Sequence, residues 1–474
     1  MNWSLLAVEL GVCGWILVLL AADMMTPKDR RSRLWLIALA GVLAAAALLA
    51  WQQLAGVSGI FQEMFRVGPL SSYFKALFLL TVAFVIVMTH QFERHLSSSS
   101  LGAFYVLLFT ALLGMLVLAS ISDLLLLFIG LELLTFSLYI MAAYLKTDAR
   151  SVEAGMKYLI LGSVSSGFLV YGIALLYGAA GGTSFSTIGA ALASGPVSLS
   201  AKAGLLLVLA GLGFKVAAVP FHLWVPDVYE GAPAPVVALL SVGSKMAGVV
   251  AMLRVLYGLF LPLHWMWGEL LAVLSAATML YGNLAAIPQT NIKRLIGYSS
   301  IGHAGYVLMG LSTGAVAGVE AVSYYLLAYL FSNLTVLLVI VVASDAVGGD
   351  AIEDYRGLSK RSAWLAGAMF IGLLSLAGVP PLAGFVGKLF VLLATVQSGR
   401  IWLAAIGALN VAISLYYYLL VVKRMYIDAP RSAEPIALSG VTRFALAILV
   451  VGVLIIGVVQ EPFVRLIASA VAAP

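Results

Sequence analysis

The chain has 474 residues, of which 63% are hydrophobic and only 10% charged, against roughly 25% charged in an ordinary soluble domain. That composition, with a mean hydropathy of +1.09, excludes a water-soluble fold, which could not bury so much apolar surface. A formal charge of +6 would suggest nucleic acid in a soluble protein, but here the basic residues fall in short loops between apolar runs, and the single Cys13 rules out an intrachain disulfide or a cysteine-based metal cluster.

A helix needs roughly 20 apolar residues to cross the hydrocarbon layer. Cutting the sequence at polar and Gly/Pro punctuation predicts an all-α polytopic membrane protein of about fourteen transmembrane helices. Their spans lie near 3–23, 33–54, 70–90, 101–121, 122–145, 153–178, 203–226, 232–261, 265–288, 292–313, 317–343, 363–396, 400–424 and 441–468. The first run lacks the basic leader and small-residue cleavage site of a secretory signal and reads as a retained helix. The longest connections, 179–200 and 344–362, have room for no more than a short surface helix.

Lysine and arginine are retained in short cytoplasmic loops. Lys28, Arg30, Arg31 and Arg33 therefore place the first loop inside, and Arg94, Lys146, Arg150, Lys293, Arg294, Arg356, Lys360, Arg361, Lys423, Arg424 and Arg431 fall on the same side. The other side carries little beyond Arg66, Lys75, Lys202, Arg400 and Arg465. Both termini are expected to face outward.

Two spans cannot be uniform helices. Pro220 and Pro226 interrupt span seven, because a proline lacks an N–H and its ring clashes with the preceding turn. Span twelve is too long for one upright crossing and contains AGVPPLAG at 377–384. Transporters place such breaks at their pathways, and a lysine lies near each one, Lys215 and Lys388. The breaks lie five spans apart, and a repeat of an odd number of spans re-enters the membrane inverted. The expected organisation is a three-helix segment at 1–100, a five-helix repeat at 101–262 (spans four to eight), its inverted partner at 263–431 (spans nine to thirteen) and a C-terminal helix at 432–474. The plainer alternative is a proline kink in two ordinary helices.

Charges at bilayer depth cost at least about 2.5–3.5 kcal/mol each on insertion scales and normally face a partner or water. Glu132 sits deep in an apolar span and needs a cation; Lys215 is the natural candidate. Lys245 on span eight, His303 on span ten and Lys388 on span twelve complete a set suited to relaying protons. Each has a plainer reading: His303 can tie two helices together, and Arg254 can reach out to the headgroups. Lys157 can form a local i,i+4 pair with Glu153. His222, Asp227 and Glu230 follow the break at Pro220 and fit either a proton entrance or a capped loop. No phosphate-binding glycine loop and no haem or metal spacing is present, so any redox chemistry belongs to a partner.

Residues 211–236, GLGFKVAAVPFHLWVPDVYEGAPAPV, carry the most specific resemblance. Together with Asp123 through Tyr144 around Glu132, KYLILG at 157–162, NIKRLIGYSSIGH at 291–303 and LAGVPPLAGFVGK at 376–388, they make the chain, from about Leu101 to Arg431, similar to the antiporter-like membrane subunits of respiratory complex I, the proton-pumping NADH:quinone oxidoreductase. The Tyr229, Glu230, Gly231 ending resembles the subunit N group. Lys388 stands where the sister subunit M is expected to carry a glutamate.

The resemblance implies that Glu132 and Lys215 form an ion pair whose opening changes the lysine's proton affinity, that Lys245 is the central carrier and Lys388 the carrier towards the exit, and that His303 bridges the halves, with Lys157 and His222 in lesser roles. It implies no cofactor in this chain, with NADH, FMN, iron-sulfur clusters and quinone in partner subunits. The partners would be other membrane-arm subunits, including the sister antiporter-like ones, in a bacterial inner membrane, with no nucleic acid. Two alternatives share the architecture: a cation/proton antiporter subunit, which would want clustered oxygen ligands, and a non-pumping structural subunit.

Overall fold

The computed structural model describes residues 2–96, 100–430, 432 and 434–472; Arg431, assigned above to the basic side, lies outside them. In chain order the helices are α1 (Ala7–Met25), α2 (Leu34–Leu54), α3 (Pro69–Phe92), α4 (Leu101–Ala119), α5 (Leu124–Ala142), α6 (Ala149–Ala180), α7 (Phe185–Ala193), α8 (Leu199–Val216), α9 (Trp224–Gly231), α10 (Ala234–Ala238) and α11 (Lys245–Gly258). They continue as α12 (His264–Ala286), α13 (Ile292–Ser312), α14 (Val316–Val347), α15 (Leu358–Arg361), α16 (Ala363–Ala377), α17 (Ala383–Gln397), α18 (Ile401–Tyr426), α19 (Gly440–Val458) and α20 (Glu461–Ala472).

Among the described residues, twelve helical segments are long and apolar enough to cross a membrane. The polar-headed α13 and the broken pair α16 and α17 complete the fourteen expected crossings. Helix starts follow local chemistry: Asp123 accepts from the Leu125 and Leu126 amides (2.7 and 3.0 Å) to cap α5, and Asn291 accepts from the Arg294 amide (3.1 Å) to cap α13. The short helices α7 and α15 occupy the two long connections, as expected. Small residues let helices approach closely; a Cβ on Gly282 of α12 would lie 2.4 Å from the Gly302 nitrogen of α13.

The connections gather at two ends of the bundle. At one end a two-stranded antiparallel ribbon, β1 (Gly59–Phe61) and β2 (Phe65–Val67), joins α2 to α3. Its Arg66 amide donates to the Ser120 carbonyl (2.6 Å), and the Phe185 amide donates to that of Ser122 (2.9 Å). At the other end the Ile352 amide donates to the Thr290 carbonyl (2.8 Å) and the Gly357 amide to that of Arg424 (3.0 Å). The loops after spans two, four and six therefore meet one another, and so do those after spans nine, eleven and thirteen, which is what the alternation of basic and charge-poor loops requires. At the basic end Arg424 hydrogen-bonds Asp428 (2.6 Å) and holds its carboxyl below the usual carboxylate range.

Both anticipated breaks are present. Val216 ends α8, Ala217 turns into the left-handed region (φ 65°), and the chain is non-helical until Trp224. The freed backbone finds partners: the Val219 amide donates to Thr278 Oγ1 (3.0 Å), and Trp224 Nε1 donates to the Phe214 carbonyl (3.1 Å). In the second break Gly378 adopts φ 89° and the Gly384 amide donates to Ser375 Oγ (3.0 Å). Side chains thus satisfy backbone that lipid could not.

Several expectations need correction. The last span is not one helix over 441–468: Gln460 interrupts it, and Pro462, which needs no amide partner in a first turn, opens the separate α20. The ribbon between α2 and α3 was not foreseen. Arg254 does not reach past the protein but donates twice to the Ala119 carbonyl at the end of α4 (3.2 and 3.1 Å). Lys75, counted above among the charges of the charge-poor side, lies in α3, fully buried, 2.8 Å from Glu9 of α1, with its ammonium 4.9 Å from the centre of the Phe65 ring.

Removing one partner of a buried ion pair strands the other charge, at a cost of about 3–5 kcal/mol. Lys75→Met is therefore expected to lower the thermal unfolding midpoint of the chain in detergent, and Glu9→Gln added to it to restore part of the loss. Additive effects of the two changes would show that the pair is not coupled.

Candidate functional site

The four candidate carriers Lys215, Lys245, His303 and Lys388 are each at most 6% exposed. Lys215 lies in the last turn of α8, beside the first break. Its ammonium donates to Thr135 Oγ1 of α5 (3.0 Å) and to the Tyr158 hydroxyl of α6 (3.3 Å). Glu132, half-buried on α5, instead accepts from Ser166 Oγ of α6 (2.5 Å). The expected direct pairing of Glu132 with Lys215 is thus not made in this structure. Both residues line a cavity of about 20 Å³, together with Thr135 and Ser166, which is room for about one water. Thr135 follows Glu132 by three residues on the same helix face, so a rotamer change at either end can exchange one arrangement for the other.

The Lys215 stem packs on Gly248 of α11, where an added Cβ would come within 2.9 Å of Lys215 Cγ. One turn before Gly248, Lys245 donates to the Ser300 carbonyl (2.5 Å) and hydroxyl (2.7 Å) of α13. A π-helical turn, Leu239–Ser244, immediately precedes Lys245 in a stretch, residues 234–253, that is buried throughout. Such turns recur at functional positions because they re-aim the side chains that follow. Ser300 Oγ also reaches the Tyr229 hydroxyl (3.3 Å).

His303 follows Ser300 by three residues on α13. Its Nδ1 lies 2.5 Å from the Tyr325 hydroxyl of α14, and its Nε2 lies 3.3 Å from the Tyr418 hydroxyl of α18. Tyr418 in turn hydrogen-bonds Ser299. Lys388 of α17 donates to the Ala377 carbonyl (2.9 Å), the last of α16, and lies 5.0 Å from the Tyr306 ring. It therefore caps the half-helix that the second break leaves open.

The remaining candidates lie apart from this row. Lys157 pairs with Glu153 as expected (2.7 Å) but also reaches Asp227 of α9 (2.7 Å). Arg294 of α13 binds both Asp227 (2.7 Å) and Glu230 (2.9 Å). The acidic pair after the first break is thus a clamp holding α9 between α6 and α13. His222 is buried, its ring edge-on to Tyr281 (4.3 Å). The sequence reading missed the hydroxyls that join the carriers, namely Thr135, Tyr158, Ser166, Tyr229, Ser300, Tyr325 and Tyr418. For Tyr158, Tyr325 and Tyr418 the signal was available, because a phenol inside an apolar span needs a polar partner; the serines and the threonine gave no such signal.

A fourteen-crossing bundle with two lysine-bearing broken helices and a buried polar row defines an antiporter-type membrane subunit. Residues 121–414 match the family described as NADH:quinone oxidoreductase/Mrp antiporter, TM. The chain is 41% identical over 465 residues to NADH-quinone oxidoreductase subunit N of Moorella thermoacetica, covering 97% of this chain and 96% of the relative. Its fold is similar to a chain of respiratory complex I from Thermus thermophilus with bound aureothin, at 31% identity and a TM-score of 0.82, covering 97% and 99% of the two chains. A chain of the Mrp complex from Dietzia, at 20% identity with a TM-score of 0.83 and coverage of 100% and 97%, shares the fold. The chain belongs to the NADH-quinone oxidoreductase subunit N family.

Displacing Lys215 tests whether its placement matters. Gly248→Val is expected to cut acidification coupled to quinone reduction by about tenfold or more, as misplaced reacting groups commonly do, with the complex still assembled; acidification at the wild-type level would show that the Lys215 position is not critical.

Proposed function

We propose that this chain carries protons across a bacterial inner membrane as a membrane-arm subunit of a proton-pumping NADH:quinone oxidoreductase, with both termini outward. The observation that supports this reading most directly is the row of buried ionisable and hydroxyl side chains running from Glu132 through Lys215, Lys245 and His303 to Lys388. A scaffold would not bear the insertion cost of these groups. Residues 101–262 and 263–431 would act as two inverted repeats, each contributing one broken helix. Sister antiporter-like subunits are the expected neighbours, and NADH, FMN, iron-sulfur clusters and quinone belong to partner subunits.

In this reading, quinone reduction elsewhere in the complex changes the electrostatics around Glu132. When the carboxylate approaches Lys215 the ammonium form is favoured; when it turns to Ser166, as in this structure, the proton is released towards Lys245. Ser300, one turn from His303 on α13, receives the Lys245 ammonium. Tyr325 and Tyr418, which belong like His303 to the second repeat, fix the His303 ring, and Lys388 delivers the proton at the second break. Each charge moved across the membrane is worth about 2.3 kcal/mol per 100 mV, so transfer must be stepwise. The hydrogen bond from Lys245 to Ser300 and the Tyr306 ring beside the Lys388 ammonium provide separable steps. Lys157 and His222 would act at the basic end, Lys157 by fixing α9 and His222 by lining the break.

Lys215→Met or Lys245→Ala in the assembled complex, reconstituted in proteoliposomes, is expected to abolish or strongly reduce the pH gradient while quinone reduction continues. An unchanged proton yield would make this chain structural. Replacing sodium with potassium is expected to leave the gradient intact; its loss would favour the cation antiporter reading.

A further inference from the structure

The N-terminal helices, which the relay does not use, form a groove of about 600 Å³ between α2, α3 and α20. Its walls are apolar, with Val42, Ala46 and Leu49 on α2 and Ala76, Leu79 and Leu80 on α3. At the ribbon end it narrows at Gln53 and Pro69, where Gln53 Nε2 donates to Ser72 Oγ (2.5 Å). The same two residues border a second pocket of about 630 Å³, which is lined by the ribbon and the Arg66 side chain.

Arg66 is only partly buried, and its guanidinium has no carboxylate or hydrogen-bond partner among the described residues. Arg254 lies close enough to repel it. The nearby carboxylate of Glu9 is occupied by Lys75 (2.8 Å), and Glu63 is turned to Ser186 (3.2 Å). The second pocket therefore presents a cation to which, among the described residues, no carboxylate is bonded. The groove below it has a defined depth: Val42 to Gln53 is eleven residues, or about 16 Å of helix, close to half of the roughly 30 Å hydrocarbon layer.

We propose that this groove and pocket hold one phospholipid from the leaflet at the ribbon end, with an acyl chain along α2 and α3 and the headgroup phosphate on Arg66. The depth of one leaflet, the apolar walls and the cation at the polar mouth match the three parts of such a molecule. An acyl chain gains little by leaving other acyl chains, so selectivity must come from the headgroup, and anionic phospholipid is preferred over zwitterionic. The bound lipid fills the seam between the N-terminal segment and α20, whose Leu466 and Ala470 complete the groove.

The test uses the purified whole complex in nanodiscs that contain a trace of phosphatidylglycerol with a photoreactive acyl chain. Adducts are expected to concentrate on α2 and α3 relative to the exposed face of α6. Arg66→Gln should lower that labelling about fivefold, the worth of one basic residue at an anionic surface, and Ala46→Trp, which fills the groove, should reduce it to the α6 level, both with quinone reduction retained. Labelling no greater than on α6, labelling unaffected by both substitutions, or adducts joining the groove to a neighbouring polypeptide instead of lipid would overturn the proposal.

Discussion

Inside a bilayer neither a bare backbone carbonyl nor a bare ammonium is tolerated, and each can satisfy the other. Lys388 and the Ala377 carbonyl make this exchange literally: the second break exposes the end of α16, and the lysine one turn into α17 closes it. The first break is satisfied differently, by Trp224 and Thr278, which leaves the Lys215 ammonium free to bond to Thr135 and Tyr158 instead. The two breaks are thus alike in backbone and unlike in what their lysines hold. In the proposed relay, that difference separates a switching residue from a delivering one.

The same constraint explains why the row is assembled from hydroxyls. A carboxylate beside each lysine would fix its charge and stop transfer, whereas serine, threonine and tyrosine can both donate and accept. Glu132 is the only carboxylate that lines the cavity beside Lys215, and it faces the sparsely covered side of the bundle where α5 and α6 expose Phe136, Ile140 and Ile160.

Much of this was legible in the sequence because hydropathy and the insertion cost of charge act locally. Fourteen crossings, two breaks and the intramembrane charges of Glu132, Lys215, Lys245 and Lys388 all follow from counting apolar residues and locating prolines and charges within the apolar runs. What was not legible depends on tertiary partners. Lys75, near the charge-poor end of span three, shows no partner until α1 brings Glu9 to it. Asp227 and Glu230 read equally well as an entrance until Arg294, some sixty residues away, closes on both. The open Glu132 and Lys215 arrangement depends on Ser166, whose own sequence context of small residues carries no sign of it. The break at Gln460 was obscured because apolar residues continue on both sides of it.

In the proposed relay a buried lysine changes its protonation during turnover, and isotope-edited infrared difference spectroscopy of the assembled complex, resting against turning over, reads this directly. With lysine labelled, the account predicts an ammonium band that changes on adding reductant and is diminished in the Lys245→Ala complex. A difference spectrum with no lysine contribution in the wild-type complex, under conditions where it pumps, would contradict it.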